Sequence, residues 1–202
     1  MVSTLFLIPT PYELNLLSKS FLEELRLGKS LVECCGFGPI VSPIRTTKLT
    51  GQYSPKNVVL IGIAGAINPH LRIGSALEFD EAICFGVGAG SGDGFLSSSE
   101  MGWSQWHGEP AITDAIKLGP IAKSRANKIP VAKLLTCCAA SADSNDVLLR
   151  LRKHPNADAE DMEGFSVAAA CRFAGVPLRI VRGISNLAGD RDKVNWRVRE
   201  AI

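Results

Sequence analysis

The chain has 202 residues, 46% hydrophobic and 21% charged, an ordinary globular composition with length enough for one full core. A formal charge of +2, with lysines and arginines scattered, excludes the basic field that nucleic-acid binding needs. No apolar run approaches the roughly 18 residues of a membrane span, and MVSTLFLIPTPYEL lacks the basic start of a signal peptide.

In chain order, TLFLIP (4–9) reads as a first strand. Thr10-Pro11-Tyr12-Glu13 then opens a helix whose Leu14, Leu17, Phe21 and Leu25 share a face. LVECC (31–35), VVLIGIAGA (58–66) and SALEFDEAICFGV (75–87) are further strands. The stretch from Gly86 to Gly108, rich in glycine and serine, reads as a long loop, of the kind that is usually functional or mobile. AKLLTCCAA (132–140) and PLRIVRGIS (177–185) complete the strands, and helices are predicted over 144–153, 163–174 and from about 193 to the end. Alternating strands and helices predict an α/β fold in one domain, 1–202. Because WRVREAI stops within a helical pattern, the sequence also predicts a shortened C-terminus.

The six cysteines include two adjacent pairs, Cys34–Cys35 and Cys137–Cys138. Neighbours in a strand point to opposite faces, so these read as reduced thiols acting as small hydrophobes in a cytoplasmic protein. His70, His107 and His154 stand far apart, which predicts no metal site. Gly28-Lys29-Ser30 ends like a phosphate loop but has Glu23 where the first glycine belongs. GVGAGSGDG never satisfies a dinucleotide fingerprint, and GISNL lacks the second glycine of a nucleophile elbow.

Four segments remain: PTPYELNLL (9–17), GIAGAINPHLRIGSAL (62–77), DMEGFSVAAAC (161–171) and VRGISNLAGDRD (181–192). In order and spacing they resemble the purine nucleoside phosphorylase and nucleosidase superfamily. There, a G-S-A-G-type loop is followed by P-x-L-x-x-G-D, a Met-Glu pair opens a buried helix, and a later strand ends in I-S-D. The matches here are Gly62-Ile63-Ala64-Gly65, Pro69-x-Leu71-x-x-Gly74, Met162-Glu163 and Ile184-Ser185-Asn186. MEGF with RGISN and a downstream RD…W is most similar to the futalosine hydrolase branch, which removes hypoxanthine from futalosine on a route to menaquinone. The resemblance implies a three-layer αβα sandwich around a mixed sheet, no cofactor, a small nucleoside substrate, and a homo-oligomer whose sites borrow from a neighbour.

Cleaving an N-glycosidic bond requires donation to the departing base, a nucleophile at the anomeric carbon, and a hold on the ribose. Glu163 has the two acceptor oxygens that a cis-diol needs, although first-turn helix electrostatics explains it equally. The resemblance assigns it to the ribose hydroxyls and assigns Glu13 to activating water. Thr10-x-x-Glu13 with Pro11 is also a capping box, which competes for Glu13. Asp161 reads as a helix N-cap, and Met162 either walls the sugar or fills the core.

Asn186 stands where relatives acting on adenine carry aspartic acid. An asparagine cannot titrate, but its NH₂ donates to N7 or O6, which suits a 6-oxopurine; a turn role at the strand end is the alternative. Leu60 and Ile63 replace the Arg and Ser with which similar phosphorylases grip phosphate, so water is the expected nucleophile. Phe37 faces substrate or packs in the core, the backbone of Ala64 and Gly65 lies against the nucleoside, and the loop at Ala139–Ser141 is placed near the base. Phe95, Trp103 and Trp106 are expected to cover an aromatic 5′ substituent. Arg45, Arg182 and Arg191 are each candidates to meet a substrate carboxylate.

Overall fold

The computed structural model describes residues 2–119 and 131–202. Ten strands are present among them: β1 (Thr4–Ile8), β2 (Leu31–Cys34), β3 (Asn57–Ala66), β4 (Ala76–Phe85), β5 (Gly88–Ala89), β6 (Leu96–Ser97), β7 (Ala115–Lys117), β8 (Val131–Cys137), β9 (Ala159–Asp161) and β10 (Leu178–Leu187). Six helices accompany them: α1 (Pro11–Leu16), α2 (Lys19–Leu25), α3 (Gly38–Tyr53), α4 (Ser144–Lys153), α5 (Gly164–Phe173) and α6 (Val198–Ala201). The long apolar runs become β3, β4, β8 and β10, as expected of strands buried on both faces.

The sheet is mixed and three-layered. On β8, Leu134 joins the cluster that holds Phe165, Val167 and Ala168 of α5, while the next residue, Leu135, joins the cluster holding Val147 and Leu151 of α4. Successive strand residues face opposite sides, so α5 and α4 cover opposite faces. The sheet also closes on itself: β3 pairs with β10, β10 with β4, β4 with β8, β8 with β9, and β9 returns to β3. β1 pairs with β3 only over Asn57–Leu60, and β9 only at Gly65 and Ala66. Between those two partners one edge of β3 is left without a strand, and the candidate site opens there.

Several expectations are corrected. The single helix after β1 is two, because Ser18 accepts the Phe21 N–H (3.1 Å) and caps a new helix while Leu17 is extended. α3 has no counterpart in the sequence reading: Pro43 and its β-branched residues hide it, and its buried face is Gly38, Ser42, Thr46, Leu49 and Thr50. These mostly small residues let α3 lie against the alanine-rich α5. The stretch 86–108 is not structureless, since it carries the β5–β6 hairpin and a 3₁₀ turn. The final helix is a 3₁₀ turn at Lys193–Asn195 and the short α6. α6 sits directly on β10, where a side chain at Gly183 would strike the Ala201 backbone.

The start of α5 is fastened to β8 by one hydroxyl. Thr136 Oγ1 donates to Asp161 (2.7 Å) and accepts from the Phe165 N–H (2.8 Å), all buried. Thr136→Val keeps the shape but strands both partners, so stability should fall by roughly 1–3 kcal/mol. The urea midpoint should drop at unchanged slope; an unmoved midpoint would remove this hydroxyl from the anchor.

Candidate active site

A cavity of about 920 Å³ opens at the unpaired edge of β3. Its walls come from the ends of β1, β3, β8, β9 and β10, the start of α1 and α3, and the segment after β10. All of Glu13, Phe37, Ala64, Gly65, Met162, Glu163 and Asn186 line it.

Glu13 is buried on α1. Thr10 Oγ1 accepts the Glu13 N–H (3.2 Å), so half of the capping box forms. The other half does not, because the carboxylate turns away from the Thr10 amide. It accepts from the Thr10 hydroxyl (2.6 Å) and from the Ile63 N–H (3.2 Å), an amide that lies on the strandless edge of β3. An edge amide with no neighbouring strand needs another partner, and the site carboxylate supplies it. A Cβ at Gly62 would stand 2.9 Å from Glu13 Oε1 and 3.1 Å from Pro9 Cδ, and would run into Arg182 Nη1. The glycine is what lets these groups meet.

Glu163 occupies the N-cap position of α5 yet makes no capping hydrogen bond with its side chain, so its carboxylate is left for partners outside the helix. Its Oε1 accepts from the Gly38 N–H at 2.9 Å, and its Oε2 lies 3.3 Å from Arg182 Nη2. The capping work falls to Asp161, on β9, which accepts from the Gly164 N–H at 2.9 Å. Asp161 also takes the Arg182 guanidinium, at 3.1 Å from Nε and 2.5 Å from Nη2. Burial pushes the Glu163 carboxyl up to about 7; Arg182 opposes that shift and Asp161 adds to it.

Asn186 follows a bulge in β10. Its Oδ1 accepts from the Ser185 hydroxyl and its Nδ2 donates to Leu187 O, both at 2.7 Å. One amide proton is thereby used and the other is left for a ligand. Ser185 also donates to Ala64 O (3.3 Å), tying β10 to β3 beside the cavity.

The remaining expectations divide. Phe37 is 62% exposed at the cavity rim rather than packed in the core. Leu60 is fully buried in the core and does not wall the cavity; of the two apolar replacements only Ile63 does. Phe95 packs on Phe85, Trp106 packs on Phe173, and neither they nor Trp103 lines the cavity. Arg182 is fully buried beneath the site and is engaged with Asp161 and Glu163, and Arg45 bonds Cys34 O, so neither faces a ligand. Arg191 does line the cavity, joined by Lys193, Trp196, Arg197 and Arg199. Trp196 Nε1 donates to Asp190 O (2.9 Å), and the Arg197 N–H donates to Ser185 O (2.7 Å), which fastens this segment to β10. Among the described residues no group of His, Cys, Asp and Glu is arranged to hold a metal ion.

The chain matches the family model described as the phosphorylase superfamily over residues 10–202. It is similar to futalosine hydrolase of Streptomyces coelicolor, 35% identical over 72% of this chain and 60% of that protein. It is also similar to the 5′-methylthioadenosine/S-adenosylhomocysteine nucleosidase of Bacillus pumilus, 29% identical over 80% of this chain and 69% of that one. The structure of futalosine hydrolase of Helicobacter pylori superposes with a TM-score of 0.76 at 16% identity, covering 98% of this chain and 93% of that chain, which shows the fold. The nucleosidase of Streptococcus pyogenes does so at 0.78 and 21% identity, covering 99% and 91%.

The raised Glu163 carboxyl has a definite stability signature. The unfolded group releases its proton near 4.5 and the folded one near 7, so between them the folded state holds more protons. Stability of the wild type relative to Glu163→Gln should therefore decline as pH rises from about 4.5 to about 7 and then level off. Urea unfolding across that window measures it, and a constant difference would show that the carboxyl is not raised.

Proposed function

The chain belongs to the phosphorylase superfamily, and on that premise we propose that it hydrolyses the N-glycosidic bond of a 5′-modified 6-oxopurine ribonucleoside, with futalosine the first choice. The observation that carries this reading is that a neutral amide, Asn186, shares one cavity with two buried carboxylates, Glu13 and Glu163. Ionised Glu163 accepts the ribose 2′ and 3′ hydroxyls. Glu13, aimed by Thr10 and Ile63, takes a proton from the attacking water. Asn186 donates its free N–H to the base as negative charge develops there. Met162, Ala64, Gly65 and Phe37 wall the nucleoside.

Water is favoured over phosphate by charge. Glu13, Asp161 and Glu163 all line the cavity together with the apolar Ile63 of β3, so a phosphate dianion at the sugar would meet carboxylates. The cations are elsewhere: Arg191, Lys193, Arg197 and Arg199 line the side formed by the segment after β10. With Trp196 they suit a 5′ substituent that is aromatic and anionic, as in futalosine, better than the neutral methylthio group.

Residues 1–202 act as one nucleosidase domain in this reading, and six free thiols fit a reducing cytoplasm. Among the described residues no helix is long and apolar enough to cross a membrane. The functional unit in this reading is a homo-oligomer. Phe37, Ile40, Val41 and Ile44 form an exposed apolar stripe along α3, continuous with Phe37 at the cavity rim and suited to a second copy of the chain. Ile44→Arg should shift sedimentation from oligomer to monomer; a wild type that sediments as a monomer would refute the oligomer.

The reaction is tested by incubating the protein with futalosine, inosine and methylthioadenosine, with and without phosphate. Free hypoxanthine from futalosine, at a rate that phosphate leaves unchanged and without ribose 1-phosphate, is expected. Binding with no base released would instead identify a silent nucleoside-binding protein. In the same assay Asn186→Asp should move relative kcat/KM toward adenine nucleosides, because a protonated carboxyl donates to N7 while an amide does not titrate. Unchanged relative values would remove Asn186 from base selection.

A further inference from the structure

Glu160 lines the same cavity, is buried, and has no part in the chemistry above. It lies on β9 directly opposite Gly65 of β3, and Asn186 of β10 lies opposite the same glycine on the other side. The two residues therefore flank one position that has no side chain. With neighbouring strands about 4.8 Å apart, their backbones stand roughly 10 Å from each other. A Cβ on Gly65 would sit 3.5 Å from Glu160 Cγ, so the glutamate stem runs over the glycine.

The carboxylate is held by a buried frame. Its Oε1 accepts from the Ser141 N–H (2.9 Å), and its Oε2 accepts from the Ser141 hydroxyl (2.7 Å) and pairs with Arg150. Arg150 also donates to Ala139 O (2.8 Å), so the two ions fix the Cys138–Ser141 loop, which itself lines the cavity. An ionised carboxylate offers about four lone-pair sites. Three are taken, and the fourth, on Oε1, remains at a buried cavity wall.

From this we infer that Glu160 is a specificity-determining residue that accepts the N1–H of a 6-oxopurine while Asn186 donates to the opposite edge of the same base. The inference deepens the nucleosidase reading and takes from it only the seating of the base between β9 and β10. A carboxylate is an acceptor alone, so it matches the N1–H of hypoxanthine and opposes the N1 lone pair of adenine. Burial beside Arg150 keeps water from substituting for the missing partner, which makes the mismatch costly. Ser141 and Arg150 are positioning residues, acting through Glu160.

Binding of free bases tests this without requiring turnover. Titration calorimetry of the intact protein with hypoxanthine, 1-methylhypoxanthine and adenine should show hypoxanthine bound roughly ten- to a hundredfold more tightly than either of the others. In Glu160→Gln, checked for native circular dichroism, the preference over adenine should shrink by about tenfold or more, because the amide can donate to N1. A residue that merely braces the loop would weaken all three bases alike and leave the ratios intact, and that result overturns the inference. So does equal binding of hypoxanthine and 1-methylhypoxanthine by the wild type. A protein that releases hypoxanthine from nucleosides yet ignores N1–H keeps the proposed reaction and loses this residue. One that discriminates on N1–H but hydrolyses nothing does the reverse.

Discussion

The structure depends on a buried cation. Arg182 has no exposure at all, and its guanidinium is held between Asp161 and Glu163, residues on either side of the β9-to-α5 junction. A guanidinium cannot shed its charge, so carboxylates must accompany it into the core. One of them, Asp161, is consumed in structural bonds to Thr136, the Gly164 amide and Arg182. The other, Glu163, shares the cation less closely and reaches across to the Gly38 amide at the start of α3. The pair thus ties β10, β9, α5 and α3 around one point. Burial away from water raises the Glu163 carboxyl first of all, and the neighbouring Asp161 charge adds to that shift. A site group with a raised pKa is the direct result of burying Glu163 at this junction, with Arg182 offsetting only part of the shift.

The strand arrangement imposes a second condition that the site turns to use. β3 loses β1 after Leu60 and gains β9 only at Gly65, so Ile63 keeps an amide that no strand can satisfy. Glu13 satisfies it from α1, fifty positions away in sequence. An orphaned edge amide thereby orients a candidate base. Stability and aim coincide here, and the carboxylate is held by the Thr10 hydroxyl on one oxygen and the sheet on the other. Gly62 belongs to the same arrangement, since any side chain there would displace Arg182 and Glu13 together.

These relations explain what the sequence disclosed and what it did not. β3, β4, β8 and β10 were readable because long apolar runs have few other uses in a chain of this length. The ordered motifs located the cavity because Gly65 and Asn186 stand at the ends of two such runs, Glu13 just beyond the shorter β1, and Glu163 at the start of the apolar α5. β9 was not readable: its three residues, Ala159-Glu160-Asp161, include two buried acids whose compensating partners, Arg150, Thr136 and Arg182, lie at least ten positions away. Periodicity reports burial of apolar side chains and is silent about buried charge. α3 escaped for a different reason, because apart from Leu49 its buried face is glycine, serine and threonine, which carry little hydrophobic signal. The aromatics of the 86–108 stretch misled because rings pack with rings as readily as they meet ligands. Trp196 gave no local sign that Asp190 would hold it at the cavity wall.

What selects a ligand in such a cavity is the order of charge along it. Carboxylates from α1, β9 and the start of α5 gather where β3 is uncovered, a neutral amide and the Ser141 loop stand where β3 is flanked by β9 and β10, and cations come from the segment beyond β10. A molecule presenting hydroxyl donors, a bicyclic base and an anionic tail in that geometry is oriented by three different interactions, none of which substitutes for another. An inorganic anion satisfies only the last and is repelled from the first. The cations are solvent-exposed, so their pull is screened by salt, while the buried carboxylates and amide keep most of theirs. In the proposed reaction, orientation of the nucleoside is therefore set by the buried part of the cavity, and the exposed arm contributes capture. A fold that had to bury Arg182 with two acids already holds the first part of that order, and the rest follows from which strand ends reach the same opening.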